Sequence, residues 1–156
     1  MAGLFQTFNF WVRIALGEDG DPLCEAAFSE CAGLEASSGV KTIREGGNNN
    51  QPIHLVGPVS YGKLALKRGM TESFDLWNWF DRIHHDEEHH KRATCDVEVM
   101  SPDRAATAYT VKLTGCLPVK IKAPDLVAKD GGIAIEEMEI AYETLRLEPA
   151  GGGAGA

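Results

Sequence analysis

The 156-residue chain reads as mainly β, a set of short antiparallel strands forming a β-barrel or sandwich with one α-helix packed against it. Three observations lead there. Apolar residues recur with a period of two in several short runs, and Gly, Pro, Asp and Asn clusters separate those runs. A single stretch, from about Thr71 to Ile83, changes to three- and four-residue spacing. The sequence holds no internal repeat of the length that solenoids or propellers require.

Phe8, Phe10, Val12 and Ile14 alternate with Asn9, Trp11, Arg13 and Ala15, which puts one apolar row of a strand against a core. Gly17 to Pro22 ends it with turn chemistry. Residues 24–43 read as two strands, broken near Gly33 and again at Ser37-Ser38-Gly39, with Ala26, Phe28 and Glu30 on one face of the first. Residues 44–52 offer nothing apolar to bury and are expected to form an exposed loop.

Alternation returns from Tyr61 to Gly69, with Leu64 and Leu66 inward and Lys63, Ala65 and Lys67 outward. The helix follows, with Thr71 or Ser73 as cap and Asp75 suited to the dipole at its start. Phe74, Trp77, Phe80 and Ile83, with Leu76 alongside, make its buried stripe, leaving Trp79 off the stripe and available to another subunit.

Cys95, Val97 and Val99 predict a strand that turns at Ser101-Pro102-Asp103-Arg104 and pairs with Tyr109, Val111 and Leu113 as a hairpin. Gly115 to Pro124 carries two prolines and is expected to bend the chain between sheets. Residues 133–147 fit both a helical and a strand period. A strand there requires a bulge between Ile135 and Met138, where the alternation slips. One domain over residues 1–148 and a Gly/Ala tail over 149–156 complete the layout.

Composition excludes several function classes. At 44% hydrophobic and 24% charged residues the chain is ordinary for a folded domain. The net charge of −8 opposes nonspecific binding to nucleic acid or anionic membranes. No apolar run approaches the roughly 20 residues that cross a bilayer. The N-terminal residues lack the basic start and apolar middle of a secretory signal, so the chain is expected to begin in the cytoplasm. Cys24, Cys31, Cys95 and Cys116 have no Cys-x-x-Cys spacing and read as reduced thiols packed as small hydrophobes.

The one concentration of metal-ligand chemistry is His84-His85-Asp86-Glu87-Glu88-His89-His90, four imidazoles and three carboxylates in seven residues. His85 and His89 would share a helix face, but a zincin site needs Glu directly after its first His, and position 86 is Asp. The plainer reading is a polar helix end. No nucleophile elbow is present, and Gly46-Gly47 is not followed by the Lys and Ser/Thr of a phosphate loop. Catalysis and cofactors are not expected.

One further pattern is collinear. Ile43-Arg44-Glu45-Gly46-Gly47 is followed by Leu64-Ala65-Leu66-Lys67-Arg68-Gly69, the Trp77/Trp79 segment, Cys116-Leu117-Pro118-Val119-Lys120 and a closing Ile140 to Leu145. This set, spanning about residues 5–147, resembles the inner tube proteins of contractile injection systems and T4-like phage tails. The resemblance implies two packed antiparallel sheets with one helix, six copies joining their sheets into a ring with a β-lined lumen, and rings stacked into a hollow tube.

It also implies a structural protein whose partners are itself, a contractile sheath, baseplate and spike proteins, a tube terminator, and cargo effectors or DNA in the lumen. The ring and subunit contacts fall on Leu4, Phe5 and Phe8 and on the loop Arg44, Glu45, Gly46, Gly47, Asn48, Asn49, Asn50 and Gln51. The acidic surplus suggests a negatively charged lumen. The alternatives are a single-ring tube protein of a type VI secretion apparatus, or a monomeric metal-binding protein using residues 84–90.

Overall fold

The computed structural model describes residues 10–16, 22–43, 51–85, 91–101, 106–126, 128 and 131–149. Its elements are β1 (Phe10–Leu16), β2 (Pro22–Ala26), β3 (Glu30–Ala32), β4 (Ala36–Ile43), β5 (Ile53–Tyr61), β6 (Lys63–Gly69), α1 (Asp75–His84), β7 (Ala93–Met100), β8 (Thr107–Lys122), β9 (Ile135–Ala141) and β10 (Thr144–Pro149).

Every pairing is antiparallel. The strand path runs β2-β1-β7-β8-β9-β6-β3, with β10 on β8 and a separate ribbon of β4 and β5. The 16-residue β8 belongs to two sheets: residues 107–116 pair with β7, residues 109–114 also with β10, and residues 117–122 with β9. The change of partner falls at Gly115, held at φ 65°, so the bend expected after Gly115 is real although the strand does not break.

The inner faces of both sheets meet in one core. Val12, Ile14, Cys95, Val97 and Leu113 come from the first sheet, Leu64, Leu66, Met138 and Ile140 from the second, and all are buried. The alternation read in β1, β6, β7 and β8 is that of these inward rows. All four cysteines are free thiols; Cys24, Cys95 and Cys116 are buried.

Several expectations are corrected. Residues 24–43 fall into three strands, because Ser37-Ser38-Gly39 lies inside β4 as a register shift between Ser38 and Val40 rather than as a break. Glu30 does not share the buried face of Phe28: the chain leaves β2 after Ala26 and re-enters pairing at Glu30, which is exposed and meets Lys67. Residues 53–61, which the sequence left unassigned, form β5.

On α1 the stripe is Leu76, Trp79 and Ile83, so Trp79 is core while Phe74 is half exposed. The residue before the helix is Phe74 and makes no side-chain cap; Asp75 instead accepts from the Leu76 N–H at 2.8 Å. Finally, β9 pairs with β6 without a register shift from Ile135 to Ala141. The alternation slips only in hydrophobicity, because the inward position before Met138 is Glu136.

Candidate assembly interface

Among the described residues the β4–β5 ribbon gathers a group of exposed large apolar side chains. Its registered pairs Val40↔Val56 and Ile43↔Ile53 place apolar side chains on both faces, and Val56 is 88% and Val40 64% exposed. Leu55 and Val59 are exposed too. A two-stranded ribbon is marginally stable alone in water, and a contiguous exposed apolar surface marks a contact site.

Cross-strand polar contacts hold the ribbon's register: Ser37 Oγ lies 3.0 Å from Ser60 Oγ, and Thr42 Oγ1 3.3 Å from His54 Nδ1. At the register shift the backbones approach so closely that a Cβ on Gly57 would lie 2.5 Å from the Gly39 carbonyl oxygen. The sequence expected to make contacts, residues 44–51, lies in the chain between Ile43 and Ile53, the last registered pair of this ribbon.

The root of the ribbon is rigidly tied to the body. The buried Tyr142 hydroxyl donates to Gly33 O (2.7 Å) and accepts from the Glu35 N–H (3.1 Å), and its ring lies 5.6 Å from that of Tyr61. Gly62 N–H donates to Glu35 O at 3.2 Å. Gly33 has φ 90°, and a Cβ there would collide with the Lys63 carbonyl. The ribbon therefore leaves the body at one fixed place.

A second polar feature docks the helix. Arg68 of β6 and Glu136 of β9 are 6% and 1% exposed and are hydrogen-bonded through Arg68 Nε and Glu136 Oε1. Arg68 also pairs with Asp75 at the start of α1, while Trp77 Nε1 donates to Glu136 Oε2 at 2.9 Å. The guanidinium carbon sits 5.3 Å from the centroid of the Phe28 ring.

Burial opposes the Arg68 charge, yet the hydrogen bonds to Asp75 and Glu136 outweigh it and hold the guanidinium above its ordinary value. Burial likewise pushes Asp75 up, while Arg68, Cys24 and the Leu76 N–H hold its carboxyl below the usual range. Each charge thus has a partner, as a buried charge requires. The Leu-Lys-Arg-Gly motif singled out in the sequence contains this arginine.

The described imidazoles and thiols sit in ordinary structural surroundings. His84 donates from Nε2 to the Pro118 carbonyl at 2.6 Å and packs against Phe80, the tilted rings 4.3 Å apart between centroids. His85 is exposed, 3.9 Å from Asp81. Residues 86–90 lie outside the described set, and among the described residues no three His, Cys, Asp or Glu converge as a metal site. Burial pushes the thiols of Cys24 and Cys116 to about 12 and that of Cys31 to about 11, so these are protonated at neutral pH and are poor nucleophiles.

Of the expected contact residues, Leu4, Phe5, Phe8, Arg44, Glu45, Gly46, Gly47, Asn48, Asn49 and Asn50 lie outside the described residues. Gln51 is exposed next to β5. Sequence reading placed strand up to Ile43 but missed β5, although Ile53, Leu55, Val56 and Val59 stood within it.

A two-sheet β-fold sharing one long strand, with a docked helix and a projecting apolar ribbon, is the architecture of a tail tube subunit. The sequence model of the T4-like virus tail tube protein gp19 family matches residues 6–146, and the chain belongs to that family. The protein is a structural subunit of a tail tube.

A chain in the six-fold symmetrised cryo-EM structure of the anti-feeding prophage (AFP) baseplate is similar at 26% identity and TM-score 0.81, over 97% of this chain and 99% of that one. A chain in the extended sheath-tube complex of the PVC extracellular contractile injection system is similar at 16% identity and TM-score 0.77, over 94% and 93%. Hcp1 from Flavobacterium johnsoniae shares the fold more distantly, at 17% identity and TM-score 0.50 over 92% and 96%. A comparison with curated protein sequences finds no match.

Proposed function

We propose that six copies of this protein close into a ring, that rings stack head to tail into a hollow inner tube, and that a contracting sheath drives this tube through a target envelope. The observation that carries the reading is the β4–β5 ribbon, whose apolar side chains are exposed among the described residues and whose root is fixed by Tyr142 and Gly33. Heterologous contacts of this kind extend without closing and build a filament from stacked rings.

The contacts fall on the ribbon, on its tip from Arg44 to Gln51, and on the N-terminal Leu4, Phe5 and Phe8. Arg44 and Glu45 supply charge-assisted hydrogen bonds, and Gly46 and Gly47 permit close backbone approach. Partners are other copies of the chain, a sheath, a baseplate with its spike, and a tube terminator; cargo effectors or DNA occupy the lumen. The energy of injection comes from the sheath, so the subunit needs neither catalysis nor a cofactor. Assembly takes place in the cytoplasm, and the product is a phage tail or a phage tail-like particle.

Negative-stain electron microscopy with mass measurement tests this directly. Rings of six times the 16.9 kDa chain mass that stack into tubes are expected. An Arg44→Ala/Glu45→Ala variant should stack less. A monomer at high concentration overturns the reading, and isolated rings that never stack favour a single-ring protein instead.

A further inference from the structure

We propose that the connection between β8 and β9 is the surface that receives the ribbon: Leu126, Ile133 and Ile135 of one copy cover Val40 and Val56 on the β4–β5 ribbon of a copy in the adjacent ring. This rests on the stacked-ring reading above and adds where the ribbon lands.

Two exposed apolar surfaces stand at opposite ends of the second sheet. Its strand β6 runs from Lys63, beside the ribbon root, to Gly69, which pairs with Ile135 of β9. Seven residues of strand put those ends about 20 Å apart. Only Gly62 separates β5 from β6, and one residue cannot reverse the chain, since the tightest common hairpin loops need two. The ribbon therefore continues past the Lys63 end of the sheet, and the nine residues of β5 span about 27 Å.

The far end is apolar where a connection facing only water would be polar. Leu126 is 92% and Ile133 83% exposed, and Ile135 is exposed as well. The backbone beside them is anchored, because the Met70 N–H donates to Ala134 O at 2.8 Å. Ile133 lies against the end of β6, with its Cγ2 3.6 Å from where a Cβ on Gly69 would stand. Ile133 and Ile135 line an open recess together with Lys122, Ala123, Asp125 and Glu137.

A projecting ribbon at one end and an apolar recess at the other are different surfaces on one chain, so a two-fold pair cannot bring each onto its own counterpart. Each is covered when copies follow one another head to tail, a contact that extends without closing. Charge favours the same match. Lys41 is the single Lys, Arg, Asp or Glu of β4 and β5, whereas the recess holds Asp125 and Glu137 against Lys122.

Two variants and their mixture test the contact. The ribbon variant Val40→Asp/Val56→Asp and the receiving variant Leu126→Asp/Ile133→Asp change exposed side chains, so both should keep the parent's circular dichroism spectrum and ring mass. Each alone should need at least roughly tenfold more protein to form tubes. Mixing preassembled rings leaves one sound contact, the receiving variant's ribbon on the ribbon variant's recess. Electron microscopy should then show stacks of two rings and no longer ones.

A receiving variant that forms tubes like the parent, or variant rings that stay single on mixing, overturn the assignment while the parent's tubes still stand; the ribbon then seats within its own ring or on another protein. Cross-linking reads the same contact without added charge. Val56→Cys combined with Leu126→Cys or with Ile133→Cys should give, in tubes treated with diamide, a ladder of linked chains that the parent lacks. No ladder from either pair overturns the assignment. A parent that forms no tubes overturns the stacked-ring reading itself.

Discussion

The junction of α1 with the sheets and the β4–β5 ribbon invert the usual distribution of polarity. At the junction, Arg68 and Glu136 are charged and almost fully buried. On the ribbon, Val40 and Val56 are apolar and mostly exposed. The buried charges are complete within one chain: each has an opposite partner, and Trp77 satisfies the remaining carboxylate oxygen. The exposed apolar pairs are incomplete within one chain. The contrast separates what a subunit needs to fold from what it needs to assemble, and damage at the two places should read out in different experiments.

The largest expected effect is at the junction. Arg68→Ala leaves Glu136 charged and unpaired in the interior, and should cost about 3–5 kcal/mol of subunit stability in urea unfolding. A loss under 1 kcal/mol would mean that water reaches the carboxylate. Next, Gly33→Ala forces a side chain into φ 90° and onto the Lys63 carbonyl. It should cost roughly 1–3 kcal/mol and loosen the ribbon root, seen as faster amide exchange across β4 and β5.

Acid should weaken the junction in a definite direction. The folded-state pKa of Asp75 lies below its unfolded value of about 3.9, so its contribution is present above that pH and is lost as pH falls through the folded value. Burial raises Asp96 instead, with Lys112 and Arg13 opposing. Its contribution is full below about pH 3.9 and fades as pH rises through the raised value. Urea midpoints from pH 2 to 6 should show Asp75→Asn flattening the acid loss and Asp96→Asn steepening it.

The smallest effect on the subunit is expected on the ribbon. Val56→Ser should change unfolding stability by no more than about 0.5 kcal/mol, because the side chain is 88% exposed. The same change should reduce tube formation seen by electron microscopy. Equal losses of folding and assembly would erase the distinction between the two regions.

How much of this was legible follows from where each element finds its partner. β1, β6, β7 and the first part of β8 were readable because one face meets the core and the other meets solvent, which writes a period of two into the residues. β5 was not, because its side chains are exposed on both faces and Leu55-Val56 break any alternation. The stretch before it was read from its polar residues and its motif.

On α1, two overlapping stripes were compatible with helical spacing. Trp79 is the buried ring, while Trp77 is partly buried and donates its ring nitrogen to the interior carboxylate of Glu136, 59 residues away. Glu136 itself looked like a slip in the strand pattern. A buried carboxylate in an inward row is meaningful only once Arg68 is seen beside it.

The sequence by itself determined the strand-rich class, the helix and the family, since these rest on local spacing and on motifs carried in order along the chain. Only the tertiary structure decided which tryptophan is core, why Glu136 sits inside, and that an apolar ribbon projects from the body. The buried place of Glu136 depends on side chains brought together from far along the chain, Arg68 at 68 residues and Trp77 at 59. Local periodicity holds no information about such partners.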